Sequence, residues 1–153
     1  MSSPAACPDL TQRPPRSPRV RLGGYVLLPR LLDKARAAQA GVLGEYRFSG
    51  KGMDRHFLAF TGLTLDALTA AVATGKGDGE MLAWVQASAP LTRQPWEIEA
   101  WSNYMERRTP DGDVETLTGF AEAVGQFAKD REDIHTWFDF LDLDDHCTFG
   151  GKA

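Results

Sequence analysis

The stretch Pro95-Trp96-Glu97-Ile98-Glu99-Ala100-Trp101-Ser102-Asn103-Tyr104-Met105-Glu106-Arg107-Arg108 decides the fold. Proline opens it, and a fixed φ with no N–H to satisfy suits the first helical position. Glu97 and Glu99 stand near the positive end of the helix dipole, and Arg107 and Arg108 in the last turn. Ile98, Trp101 and Met105 share one face, with Tyr104 alongside. This is an amphipathic α-helix, and the same signature recurs on both sides of it.

Downstream, Thr109-Pro110-Asp111-Gly112 is a turn. Leu117, Phe120, Ala121, Val124 and Phe127 predict a second helix, weakened at Gly119 and Gly125 by about 1 kcal/mol each relative to alanine. A last helix is expected from about Arg131, capped by Asp130, with Ile134, Trp137, Phe138 and Leu141 as its buried face. Upstream, Asp78 is placed to cap a helix that starts near Glu80, buries Met81 or Leu82, Trp84 and Val85, and ends before Pro90. Thr64 caps another, with Leu65, Leu68, Ala71 and Val72 inward and Gly75 as its stop. Asp54 precedes a short helical turn through Phe57, Leu58 and Phe60, ended by Thr61-Gly62. Pro29 opens a helix with Leu28, Leu31, Leu32, Ala35 and Gln39 on one stripe; the alternative is a longer helix from about Arg21, kinked at Pro29. Only Glu45–Gly52 alternates, at Tyr46 and Phe48, and it is the one candidate strand. The expected fold is all-α: a single-domain irregular bundle of about six helices spanning 19–153, with one short strand or hairpin at most. Residues 1–18, culminating in Arg13-Pro14-Pro15-Arg16-Ser17-Pro18, form an extended Pro/Arg-rich arm, because three prolines in five residues forbid a helix.

With 153 residues, 42% of them hydrophobic and 25% charged, the chain is long enough to bury a core and has ordinary globular usage. No apolar run reaches the roughly 20 residues of a membrane span, and the first residues lack the basic and apolar regions of a secretory signal. Cys7 and Cys147 form no zinc-ligand spacing; a bridge between the chain ends is an alternative to the reduced, cytoplasmic state expected here.

The net charge of −4 conceals an asymmetry. Met1–Arg36 holds seven basic and two acidic residues, for +5; Asp111–His146 holds two and eleven, for −9. Such segments attract each other, within one chain or across a homodimer. A basic arm also suits nucleic acid, but the acidic whole, with a pI near 5.3, argues against that partner.

Two clusters carry chemistry-bearing residues. His135, Asp139 and Asp142 are spaced i, i+4, i+7, so one helical face would offer an imidazole and two carboxylates to a divalent cation. The same face lies beside the apolar stripe of Ile134, Trp137, Phe138 and Leu141, where a solvated surface belongs. Arg16, Arg19, Arg21, Arg30, Lys34 and Arg36 surround Gly23-Gly24 and suit a phosphate or carboxylate, or pair with the C-terminal acids. Neither they nor Gly75-Lys76-Gly77-Asp78-Gly79 matches a P-loop, and no GxSxG or HExxH occurs. Trp84, Trp96, Trp101 and Tyr104 fit a core better than a pocket.

Several phrases stand in a recognisable order: Asp9-Leu10-Thr11, Pro15-Arg16-Ser17-Pro18-Arg19, Leu22-Gly23-Gly24-Tyr25, Leu28-Pro29-Arg30, Asp33-Lys34-Ala35-Arg36, Gly44-Glu45-Tyr46, Phe60-Thr61-Gly62, Pro95-Trp96-Glu97 and Trp137-Phe138-Asp139. In order and spacing the chain resembles a bacterial family, domain of unknown function 5069, over nearly its whole length. The resemblance implies a compact bacterial domain that commonly stands alone, and it implies no activity, cofactor or catalytic residue. It does direct attention to the polar residues inside those phrases: Arg16, Arg19, Arg30, Asp33, Lys34, Arg36, Glu45 and Tyr46. The expected role is a non-enzymatic binding or interaction domain that self-associates through its opposed charges. The alternative is a small enzyme or sensor whose pocket near Arg30, Asp33, Lys34, Glu45 and Tyr46 holds an anionic metabolite.

Overall fold

Among the described residues seven helices carry the chain: α1 (Leu28–Gln39), α2 (Asp54–Thr61), α3 (Leu65–Val72), α4 (Asp78–Ser88), α5 (Pro95–Arg107), α6 (Val114–Phe127) and α7 (Trp137–Thr148). The structure is a computed structural model, and it describes residues 7–152. The fold is all-α, as expected, with seven helices rather than about six. None among the described residues is long and apolar enough to cross a membrane.

The centre is α1. Ten of its twelve residues are buried, from Leu28 to Ala37. Leu28, Leu31 and Leu32 are wholly enclosed, each a gain of roughly 1.5–3 kcal/mol over exposure. The helix starts where Leu27 takes a left-handed φ of 69°, a conformation that costs a non-glycine residue about 1–3 kcal/mol. Its side chain offsets this by packing with Val26, Met105 and Phe138. Helix α1 therefore begins at Leu28; the longer kinked helix from Arg21 does not form, because Gly23 and Gly24, both at positive φ, make a tight turn closed by a bridge between Leu22 and Tyr25.

Against α1 lies α3, and α3 packs on α4. Their apolar faces join Tyr25, Phe57 and Ile98 in the main core. Trp101 lines that core and stacks on Phe60 at 4.6 Å, while Trp96 and Tyr104 of α5 are exposed. A smaller core joins α6 to α7 through Phe120, Val124 and Leu143, and α7 also packs on α5.

Three local expectations change. Glu45–Gly52 is loop, not strand: glycines at 44, 50 and 52 have positive φ, and among the described residues there is no second strand to complete a ladder. The last helix starts at Trp137, not near Arg131, because Thr136 and Asp139 form a capping box there. Helix α4 starts at Asp78 behind Gly77, and the Asp78 carboxylate, expected as a cap, is taken by arginines instead.

From Cys7 onward the arm lies along the body. Leu10 is buried and its N–H donates to the Val42 carbonyl. Gly44, at φ 64°, makes this possible, since a Cβ there would sit 2.7 Å from the Leu10 oxygen. Residues 1–6 of the expected arm lie outside the described residues.

A candidate ligand cleft beside the central helix

A helix this buried cannot leave its charges bare, because an unpaired buried charge costs several kcal/mol. Helix α1 carries four charged residues that are nine-tenths buried or more, and a different element meets each one. Arg30 holds Asp145 of α7 in a two-point contact at 2.7 and 3.2 Å. Asp33 takes Arg16 of the arm through both oxygens at 3.0 Å and the Arg16 backbone N–H at 2.9 Å. Lys34 meets Asp54, the first residue of α2, at 2.6 Å. Arg36 donates to Asp78 of α4 at 2.8 Å, and Asp78 also takes Arg16 at 2.7 Å. The fork geometry of arginine on carboxylate makes these the strong kind of hydrogen bond.

The pairs divide between two sides of α1. Arg16, Asp33, Arg36 and Asp78 border an open groove shared with Arg13 and Gly77. Hydrogen bonds from Arg16 first, and then from Arg36, hold the Asp78 carboxyl below its ordinary range against a burial penalty. On the other side, Arg30 and Lys34 join Glu45, Tyr46, Arg47, Lys51, Asp54 and Asp144 around a cleft of about 340 Å³. It lies between α1, the 45–53 loop and α7.

The electrostatics of that second cleft are those of a half-dry site. The Tyr46 hydroxyl donates to Asp145 at 2.8 Å, and the ring sits beneath the Arg30 guanidinium at 5.6 Å. Burial, and then the hydrogen bond to Asp145 and its negative charge, push the phenol above its ordinary value, so Tyr46 stays a neutral donor. Burial pulls the Lys34 amine down, opposed by the charge of Asp54. The Asp144 carboxyl is pushed up by burial and by the neighbouring charge of Asp145. At the rim, Arg47 and Lys51 are exposed and form no ion pair among the described residues.

Of the residues singled out in the sequence, Arg30, Lys34, Glu45 and Tyr46 thus line one cleft, and Arg16, Asp33 and Arg36 line the other. Arg19 lines neither. It pairs with Asp139, and with Asp142 at 3.0 Å, while the Ser17 hydroxyl donates to Asp142 at 2.7 Å. The trio His135, Asp139 and Asp142 is not one helical face, because His135 precedes α7 and is exposed. Asp139 accepts from the backbone N–H groups of His135 and Thr136, so both carboxylates already have partners. Among the described residues no cluster of three or more His, Cys, Asp or Glu has metal-site geometry. Cys7 and Cys147 are free thiols.

The buried pairings draw on positions from Arg16 to Asp145, so nearly the whole chain is needed to form them. A family model matches over the same extent, residues 12–147. The chain belongs to the family Domain of unknown function (DUF5069). The span common to this DUF5069 chain and the family model includes every residue of both clefts except Pro8. No curated protein matches the chain.

Sequence reasoning missed Asp54, Asp78 and Asp145 as partners of α1, and Arg47 and Lys51 at the rim. The available signal was chemical: four charges within a helix otherwise rich in leucine and alanine require counter-charges from elsewhere in the chain. Periodicity does not say where those come from.

Proposed function

We propose that this chain is a binding domain, a sensor or carrier, for a small anionic metabolite held between α1, the 45–53 loop and α7. One observation carries the reading. Arg30, Lys34, Glu45 and Tyr46 line a single cleft whose rim adds Arg47 and Lys51, two cations without a carboxylate partner among the described residues. Its floor is rigid, since Arg30 and Lys34 are each fixed by a buried ion pair. The rim is adaptable, and arginine and lysine are the usual donors to carboxylate and phosphate. A bacterial cytoplasm is the setting that suits two free thiols.

Native mass spectrometry of protein purified gently from its host, followed by calorimetry with citrate and inorganic phosphate, tests this. A retained anionic mass, or saturable binding of either probe, supports it, provided the double variant Arg47→Ala/Lys51→Ala weakens binding about tenfold. Both side chains are exposed, so that variant should melt within about 1 °C of the parent. No retained mass and no binding of either probe overturns the reading. Self-association is the second reading. The opposed charges close within one chain, and its support is now the exposed Trp96, Tyr104, Val114 and Leu117. Light scattering that reports a dimer whose stability is insensitive to salt would favour it.

A further inference from the structure

A third cleft, of about 410 Å³, lies behind the wall formed by Gly52, Met53 and Leu141 of the Arg30–Lys34 cleft, and its chemistry differs from that neighbour's. Its walls are apolar, with Met53, Trp137, Phe140 and Leu141. Its charged groups are Arg55, Arg108 and Asp111. Neither arginine forms an ion pair among the described residues; Arg13, Arg47 and Arg107 do not either, but only Arg55 and Arg108 stand together beside apolar walls. In a chain of net charge −4, two unclaimed arginines at one apolar cleft need an explanation.

Two further features point the same way. The indole N–H of Trp137 is buried without an acceptor. Burial, and then the charges of Arg108 and Arg55, push His56, also at the cleft, below its ordinary value. The Arg108 backbone is held at the cleft, because its carbonyl accepts from the Trp137 N–H at 3.1 Å.

We propose that this cleft binds an amphipathic carboxylate, its apolar body against Met53, Trp137 and Phe140 and its carboxylate between Arg55 and Arg108. A neutral apolar molecule would leave the two cations unanswered, and a small polar anion would leave the apolar walls wet. The inference does not depend on the anion reading of the neighbouring cleft.

Isothermal titration with decanoate tests it, with decanol as the neutral control. The expected result is saturable one-to-one binding of decanoate, weakened at least tenfold in Arg108→Ala and in Arg55→Ala, and unchanged in Arg47→Ala/Lys51→Ala. Circular dichroism and melting of each variant confirm that the comparison is between folded proteins, and Arg108→Lys, which keeps the charge, should retain part of the affinity. Absence of saturable decanoate binding overturns the proposal. So does equal binding of decanol, or a loss confined to the Arg47/Lys51 variant, which would put decanoate in the Arg30–Lys34 cleft.

Discussion

At the scale of single residues, the Lys34–Asp54 pair is the most exacting feature of the molecule. Both side chains are at least nine-tenths buried, and they meet at 2.6 Å. A buried pair does not by itself stabilise a fold, since desolvation offsets most of the attraction. Its logic is asymmetric: once one partner is present, the other becomes obligatory. Asp54→Leu should therefore cost about 3–5 kcal/mol, because the ammonium left behind must shed its proton or stay buried without a counter-charge. Lys34→Met should cost a comparable amount. The double variant Lys34→Met/Asp54→Leu should recover most of the loss, since two apolar groups of similar size need no partner. Urea unfolding at neutral pH of the four proteins in the cycle measures this directly. Additive losses, with no recovery in the double variant, would show that the pair is not an energetic unit.

At the scale of elements, α7 shows how one helix serves two duties. Phe138 and Leu143 face the interior, while Asp139, Asp142 and Asp145 face the arm and α1. Its start is set by the Thr136–Asp139 capping box, which satisfies backbone N–H groups at both positions. Thr136→Ala should cost about 1 kcal/mol and lower the melting temperature by about 3 °C. Arg19→Ala should cost less, about 0–1 kcal/mol, because its side chain is 39% exposed and water screens the pair. Calorimetric melts of both variants test the order, and a larger loss for Arg19→Ala would mean that its pairs with Asp139 and Asp142, not the cap, fix α7. Helix type and location were legible where apolar spacing and proline agreed, as at Pro95–Arg107 and Leu28–Gln39. The start of α7 was legible too, in Thr136-Trp137-Phe138-Asp139, but the apolar Ile134 extended the apparent periodicity past the cap. Glu45–Gly52 misled because alternation at two aromatics says nothing about whether a partner strand exists. The candidate cleft was half legible: Arg30, Lys34, Glu45 and Tyr46 stood out as polar residues within distinctive phrases, but their convergence depends on α7 and α2, from which no local pattern points back to α1.

At the scale of the whole molecule, the +5 and −9 ends of the sequence close on each other in a single chain. The closure has a pH dependence whose sign follows from individual carboxylates. Asp78, held by Arg16 and Arg36, and Asp139, held by backbone N–H groups and Arg19 against its burial, both sit below their ordinary value of 3.8 in the folded state. For such groups the unfolded chain binds more protons, so stability rises with pH through the window between the folded value and 3.8. Their contribution is present above that window and is lost as the pH falls through it. Asp144 acts in the opposite sense. Its folded value is raised, so its contribution is largest in acid and declines as the pH rises through the window above 3.8. The two effects lie in adjacent windows, one on each side of 3.8. The melting temperature should therefore decline modestly as the pH falls below 6.5, where the unfolded chain protonates His56 before the folded one does, and fall steeply below about pH 4, where Asp78 and Asp139 are lost. Asp78→Asn should be less stable than the parent at pH 7 yet fall less steeply below pH 4, because that share of the linked proton uptake has been removed. Parallel acid slopes in the two proteins would mean that the arm's junction with α1 and α4 is not what acid opens, and would shift the acid-sensitive joint to the contacts of α7.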